Sequence, residues 1–70
     1  MPNQTNEMTI RCQLKEWGES LPDLVIAYMA NNIHNKENIV LACNKIVTFL
    51  DLTKLPLHEV NLEQFFKEFS

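Results

Sequence analysis

The chain of 70 residues is poor in the residues that build tight turns and disulfide scaffolds, with one glycine, three prolines and two cysteines. A single glycine excludes a glycine-rich loop of the kind that cradles phosphate groups. A disulfide scaffold usually contains more cysteines, and neither a signal peptide nor a run of about 18 apolar residues is present. We therefore expect a cytoplasmic protein with two reduced, buried thiols and no membrane contact.

Basic residues are also scarce, since six Lys and Arg stand against nine Asp and Glu, for a net charge of −3. This balance lacks the basic excess typical of a nucleic-acid-binding domain. The cysteines and histidines are not spaced as metal ligands, and no catalytic grouping of side chains is evident. The sequence predicts no enzyme activity, no metal or other cofactor, and no small-molecule substrate.

Apolar residues make up 46% of the chain and include four phenylalanines, which is sufficient for one small domain. A chain of this length buries only about 60% of the surface that its unfolded form exposes, so association is a common remedy. The length therefore favours association with another chain.

The first half of the chain has the pattern of strands. Residues 1–7 are polar without a period and are expected to be disordered, whereas residues 9–15 alternate between apolar and polar. Gly18 can adopt a positive φ, which would end this strand and reverse the chain. Residues 24–26 are expected to form a short return strand, and residues 27–33 a brief helix.

Residues 39–50 are ambiguous. Their apolar residues fall at helical spacing, but the same residues also form two runs rich in Ile, Val, Thr and Phe around Asn44 and Lys45. Periodicity favours a helix, while composition favours a hairpin with a two-residue turn.

The C-terminal segment is expected to begin a helix at Asn61, an N-cap residue with Gln64 three positions later. The helix has one apolar face, formed by Leu62, Phe65, Phe66 and Phe69. This face either closes the core of the domain or binds in a groove of another protein.

The segment "MTIRCQLKEWGESL", residues 8–21, resembles the start of the MazE-type antitoxins of the AbrB-like swapped-hairpin family, which have a Trp-Gly-x-Ser turn at the position of Trp17, Gly18 and Ser20. The resemblance implies a mainly β fold with short helices and a homodimer, in which residues 8–52 of two copies interleave into one barrel. Residues 53–70 would then bind a MazF-type endoribonuclease toxin and neutralise it. The implied toxin-binding residues are Leu57, Val60, Leu62, Phe65, Phe66 and Phe69. This interpretation favours the hairpin for residues 39–50.

The family also binds operator DNA, and here the chain departs from the family pattern. Glu16 and Leu24 replace family cations, and Asp23 adds a negative charge. Because phosphate contacts supply much of the affinity for DNA, we expect operator binding to be weak or lost. The candidate DNA-contacting residues are Arg11, Lys15, Trp17 and Ser20.

An alternative follows if residues 39–50 are helical, because the chain is then a small all-α bundle. Its second half resembles the core-binding domain of tyrosine recombinases, a small helical DNA-binding domain. The matching residues are Pro56, Leu57, Glu59, Val60, Leu62 and Phe66. A further alternative is a helical adaptor that binds another protein and no nucleic acid.

Overall fold

A computed structural model describes residues 4–69, with side chains from Thr5 onward. Its body consists of three helices, namely α1 (Gln4–Trp17), α2 (Asp23–Asn32) and α3 (Lys36–Thr53). Residues 57–69, which follow α3 after a short connection, form what we call the C-terminal strap. The strap contains a short helix α4 (Leu62–Phe65) between single 3₁₀ turns at Leu57–Glu59 and Lys67–Phe69.

The prediction of a mainly β, swapped-hairpin barrel is wrong, because residues 4–69 contain no strand. The all-α alternative describes this fold. None of the helices within residues 4–69 combines the length and the apolar character that a bilayer crossing requires.

Helix α1 replaces the strand predicted for residues 9–15. Ile10 and Leu14 are buried, while Cys12 is exposed, although alternation had placed all three on one face. A spacing of four residues places two side chains on one face in either a helix or a strand, whereas a spacing of two does so only in a strand. Residues 4–7 also lie in α1, so the expected disordered N-terminus is wrong for them, and residues 1–3 lie outside the described residues.

Gly18 has the predicted positive φ, at 69°, but it ends a helix and not a strand. The Glu19 amide donates to the carbonyl of Leu14 at 2.9 Å, and the Gly18 amide donates to that of Lys15 at 3.1 Å. This pair of bonds is a Schellman C-cap, in which the residue after the helix end adopts the left-handed conformation. Glycine adopts that conformation without the steric penalty of a Cβ atom.

Helix α2 includes both segments expected in this part of the chain. The return strand at residues 24–26 is wrong, since these residues form the first turns of α2, and the helix expected from residue 27 is confirmed as far as Asn32. Its buried face consists of Val25, Ile26, Met29 and Ala30.

Residues 39–50 lie within helix α3, as the helical spacing of their apolar residues predicted. The hairpin favoured by their composition is wrong. The side chain of Asn35 caps the helix by accepting from the amides of Glu37 at 2.8 Å and Asn38 at 3.3 Å. The proposed hairpin turn at Asn44 and Lys45 is an exposed part of this helix. The face turned to the core consists of Ile39, Ala42, Cys43 and Ile46.

The core is completed within one chain. Helix α1 packs on both α2 and α3, and the Asn6 side chain donates to the Ile33 carbonyl at 3.2 Å, which joins the start of α1 to the end of α2. Side chains such as Ile10, Met29 and Ile46 have no exposed surface. Two copies therefore do not need to interleave to form a core, contrary to the swapped-hairpin prediction.

Candidate functional site

A cleft of about 610 Å³ lies between α2 and the C-terminal strap. Phe66 and Tyr28 form its apolar side, with ring centroids 5.9 Å apart and an interplanar angle of 27°. Phe66 is buried, at 1% exposure, while Tyr28 is half-buried and presents one side to the cleft. The remaining lining residues are polar, namely Asn32, Asn61, Glu63, Gln64 and Lys67.

Three side-chain amides line the cleft together with this apolar pair. The amide of Asn32 donates to the Tyr28 carbonyl at 2.8 Å, and that of Asn61 accepts from the Gln64 backbone at 3.1 Å. Within residues 5–69, the Gln64 side chain and the Tyr28 hydroxyl have no hydrogen-bond partner. A side-chain amide offers both a donor and an acceptor, so the cleft can bind groups that need both.

The rim of the cleft is balanced in charge. Glu63 and Lys67 are exposed and contribute one charge of each sign. This balance favours neither an anion nor a cation as the ligand.

The strap that forms one wall is held on α3 by aromatic contacts. Phe65 meets Phe49 edge to face, at 5.0 Å between centroids, and meets Phe66 at 5.1 Å. The ammonium of Lys45 lies 5.0 Å from the ring centroid of Phe65 and pairs with the carboxylate of Glu68. The position of the cleft wall therefore depends on α3 as well as on α2.

The residues assigned to toxin binding all belong to the strap, and five of the six lie in the core or pack against it. Phe66 is part of the core, and four others are half-buried and packed against it, namely Leu57, Leu62, Phe65 and Phe69. Val60 is half-buried as well. The helical start at Asn61 is confirmed by its cap, but α4 ends at Phe65 and is not one helix through Phe69. Toxin binding by these residues stays a prediction.

Three of the four candidate DNA-contacting residues come together. Arg11, Lys15 and Ser20 line one shallow pocket of about 330 Å³, whereas Trp17 does not. The guanidinium of Arg11 is already paired, at 3.1 Å, with the carboxylates of Glu7 and Asp23. Hydrogen bonds to Glu7 and then to Asp23 raise the pKa of Arg11 above its ordinary value. A phosphate group would therefore compete with two carboxylates for this side chain.

The two cysteines lie in different surroundings, which corrects the expectation that both thiols are buried. Cys12 is exposed on α1, where a groove of about 590 Å³ runs past Met8 and Thr9. Cys43 is buried on α3, and burial raises the pKa of its thiol to about 11. Because the thiolate is the reactive form, burial and the raised pKa both disfavour reaction of Cys43 at neutral pH.

Among the described side chains, no group of three or more His, Cys, Asp or Glu residues is placed to hold a metal ion. Comparison with protein-family models, curated proteins and solved structures finds no match to this chain. The resemblance to the swapped-hairpin antitoxins therefore rests on its sequence motif alone, and the fold that it implies is wrong.

Sequence reasoning missed the side of the cleft that α2 forms. It assigned Asn61 and Gln64 only to helix capping and did not consider Tyr28 or Asn32 as site residues. Tyr28 and Phe66 are 38 positions apart in the numbering of the chain. No local pattern indicates that they stack on each other.

Proposed function

We propose that this protein is a small helical adaptor that binds an extended peptide segment of another protein in the cleft between α2 and the strap. The observation that carries the proposal is the combination of three side-chain amides with one stacked aromatic pair. The cleft volume of about 610 Å³ falls within the usual range of binding pockets.

The amides suit a peptide because every non-proline peptide unit presents one donor and one acceptor. A side-chain amide such as that of Gln64 can satisfy both groups at once. Tyr28, the half-buried ring on the apolar side of the cleft, would contact an apolar side chain of the peptide. Burial of such a side chain contributes roughly 1.5–3 kcal/mol, part of which offsets the ordering of the peptide.

Nucleic acid fits this site less well. Single-stranded bases bind by stacking on open aromatic faces, whereas the ring of Phe66 is buried at 1% exposure. The chain has a net charge of −3, which opposes a phosphate backbone. These observations favour the adaptor over the DNA-binding alternative.

Selection of binders from a random peptide library on the immobilised full chain tests the proposal. We expect peptides of micromolar affinity whose binding perturbs the amide NMR signals of α2 and the strap. Gln64→Ala is expected to weaken binding about tenfold, since it removes a side chain that would hydrogen-bond to the peptide backbone.

Gln13→Ala is the matched control, because Gln13 lines the groove along α1 and not the cleft. It is expected to leave the affinity unchanged. Peptides that perturb α1 instead, or that bind equally well to the Gln64 variant, would contradict the proposal. So would a selection that yields no binder.

A further inference from the structure

The strap is covalently connected to the body through residues 54–56, and this connection contains an unfavourable backbone conformation. Lys54 has φ 58° and ψ 21°, and within residues 4–69 it is the one non-glycine residue with a positive φ. Its amide donates to the Leu50 carbonyl at 3.0 Å, which ends α3. A side chain with a Cβ atom is disfavoured in this left-handed conformation.

A helical conformation of Lys54 would relieve this strain. If Lys54 adopts helical angles, α3 continues by one residue and stops before Pro56, because the residue that precedes a proline avoids the helical region. The strap then points along the axis of α3 and no longer lies against α2. Residues 54–56 therefore have the features of a hinge.

An open strap leaves an apolar slot on the body. In the closed form the slot holds Phe66, which stacks on Tyr28, and Phe65, which contacts Phe49. Exposure of these surfaces to water is unfavourable, so the slot needs an occupant. The occupant whose fit the structure demonstrates is the strap itself, with its aromatic rings and the contact of Glu68 with Lys45.

We infer that two copies of this chain exchange their C-terminal straps, so that each strap fills the slot of the other copy. Every contact of the closed strap is then kept between chains, and both Lys54 residues leave the left-handed conformation. Each cleft is completed by Asn61 and Gln64 of the second copy. Exchange of an identical element is a low-cost route to a dimer, and the dimer fraction rises with protein concentration.

The contact between Lys45 and Glu68 provides a direct test, because a carbodiimide joins an amine and a carboxylate that touch. Unlabelled and ¹⁵N-labelled full-length chains are mixed, concentrated under reducing conditions and cross-linked, and the monomer and dimer fractions are analysed by mass spectrometry. We expect the dimer fraction to contain Lys45–Glu68 cross-linked peptides with one light and one heavy half. The monomer fraction should contain only cross-links within one isotope.

The hinge is tested separately. Lys54→Gly removes the strain of the closed form at both hinges of the dimer, so its dimer should dissociate with a constant on the order of 30-fold higher. Lys54→Ala keeps the Cβ atom but removes the charge, and it should leave the constant unchanged.

Three results would overturn the inference. The first is a chain that stays monomeric at millimolar concentration. The second is a dimer whose Lys45–Glu68 cross-links all lie within one isotope, since its straps have not exchanged. The third is an equal change of the dissociation constant in Lys54→Gly and Lys54→Ala, because both variants remove the charge and only the glycine removes the Cβ atom. Peptide binding in the cleft is measured on the monomer, so a failure of the peptide-binding proposal can be told apart from a failure of strap exchange.

Discussion

The helical body and the C-terminal strap are stabilised in different ways. Of the twelve buried apolar residues within residues 5–69, eleven lie between Ile10 and Ile46, and Phe66 alone belongs to the strap. The body therefore has a continuous core, whereas the strap depends on one buried side chain supported by half-buried neighbours. A region with few buried apolar contacts opens at lower free energy than the rest of the fold. We therefore expect the strap to open at lower free energy than the body.

The largest effect is expected from a cavity in the body. Ile46→Ala removes a fully buried side chain from α3 and should lower the free energy of unfolding by about 4 kcal/mol. Urea denaturation followed by circular dichroism measures this change. Leu52→Ala on the same helix is the control, because Leu52 is 78% exposed and should change the free energy by less than about 0.5 kcal/mol. Similar losses in both variants would show that α3 does not form the centre of the core.

A cavity in the strap should act locally. Phe66→Ala is expected to weaken attachment of the strap by about 3 kcal/mol, because it removes the ring that stacks on Tyr28. Hydrogen exchange should then lose protection at residues 57–69 while α1, α2 and α3 keep theirs. If α1, α2 and α3 lose protection to the same extent, body and strap unfold as one cooperative unit and do not differ in stability.

Cys43 reports on the body through the pH dependence of stability. Burial raises the pKa of its thiol from 9.0 to about 11, so the unfolded chain loses this proton at lower pH than the folded chain. The contribution of this thiol to stability is complete below about pH 9 and falls by about 2 kcal/mol as the pH approaches 11. Unfolding measured across this range should show the slope, and Cys43→Ala should remove it. Cys12→Ser, at an exposed position, should leave it in place.

The smallest expected effects come from the helix caps. Asn35→Ala removes two capping bonds at the start of α3 and should destabilise the whole domain by about 1 kcal/mol. Asn61→Ala removes one cap in the strap, so its effect should appear in exchange of residues 57–69 and barely in global unfolding. Equal effects of both variants on global unfolding would contradict the distinction between body and strap.

Local features were the part of the fold that could be predicted from the sequence. The positive φ of Gly18 and the capping role of Asn61 follow from properties of those residues alone. The predicted strand at residues 9–15 was wrong for two reasons. The spacing of Ile10 and Leu14 fits both a helix and a strand. Cys12, an apolar residue on the exposed side of α1, made the sequence alternate between apolar and polar residues as a strand does. For residues 39–50 the helical spacing was correct, and the family resemblance led away from it.

The candidate site was less predictable than the helices. Its residues come from α2 and the strap, and nothing near Asn32 in the sequence indicates which segment will lie opposite it. The apolar face of the strap was recognised from its spacing, but spacing does not determine whether a face packs on its own core or on a partner.

The sequence by itself determined the positive φ of Gly18 and the helix start at Asn61, because a missing Cβ atom or an amide side chain acts within a few residues of the backbone. Only the tertiary structure decided that Phe66 lies against Tyr28 and that a cleft remains between them and the amides. Those contacts depend on how distant segments fill a shared volume, and the packing of a core is a property of the whole chain.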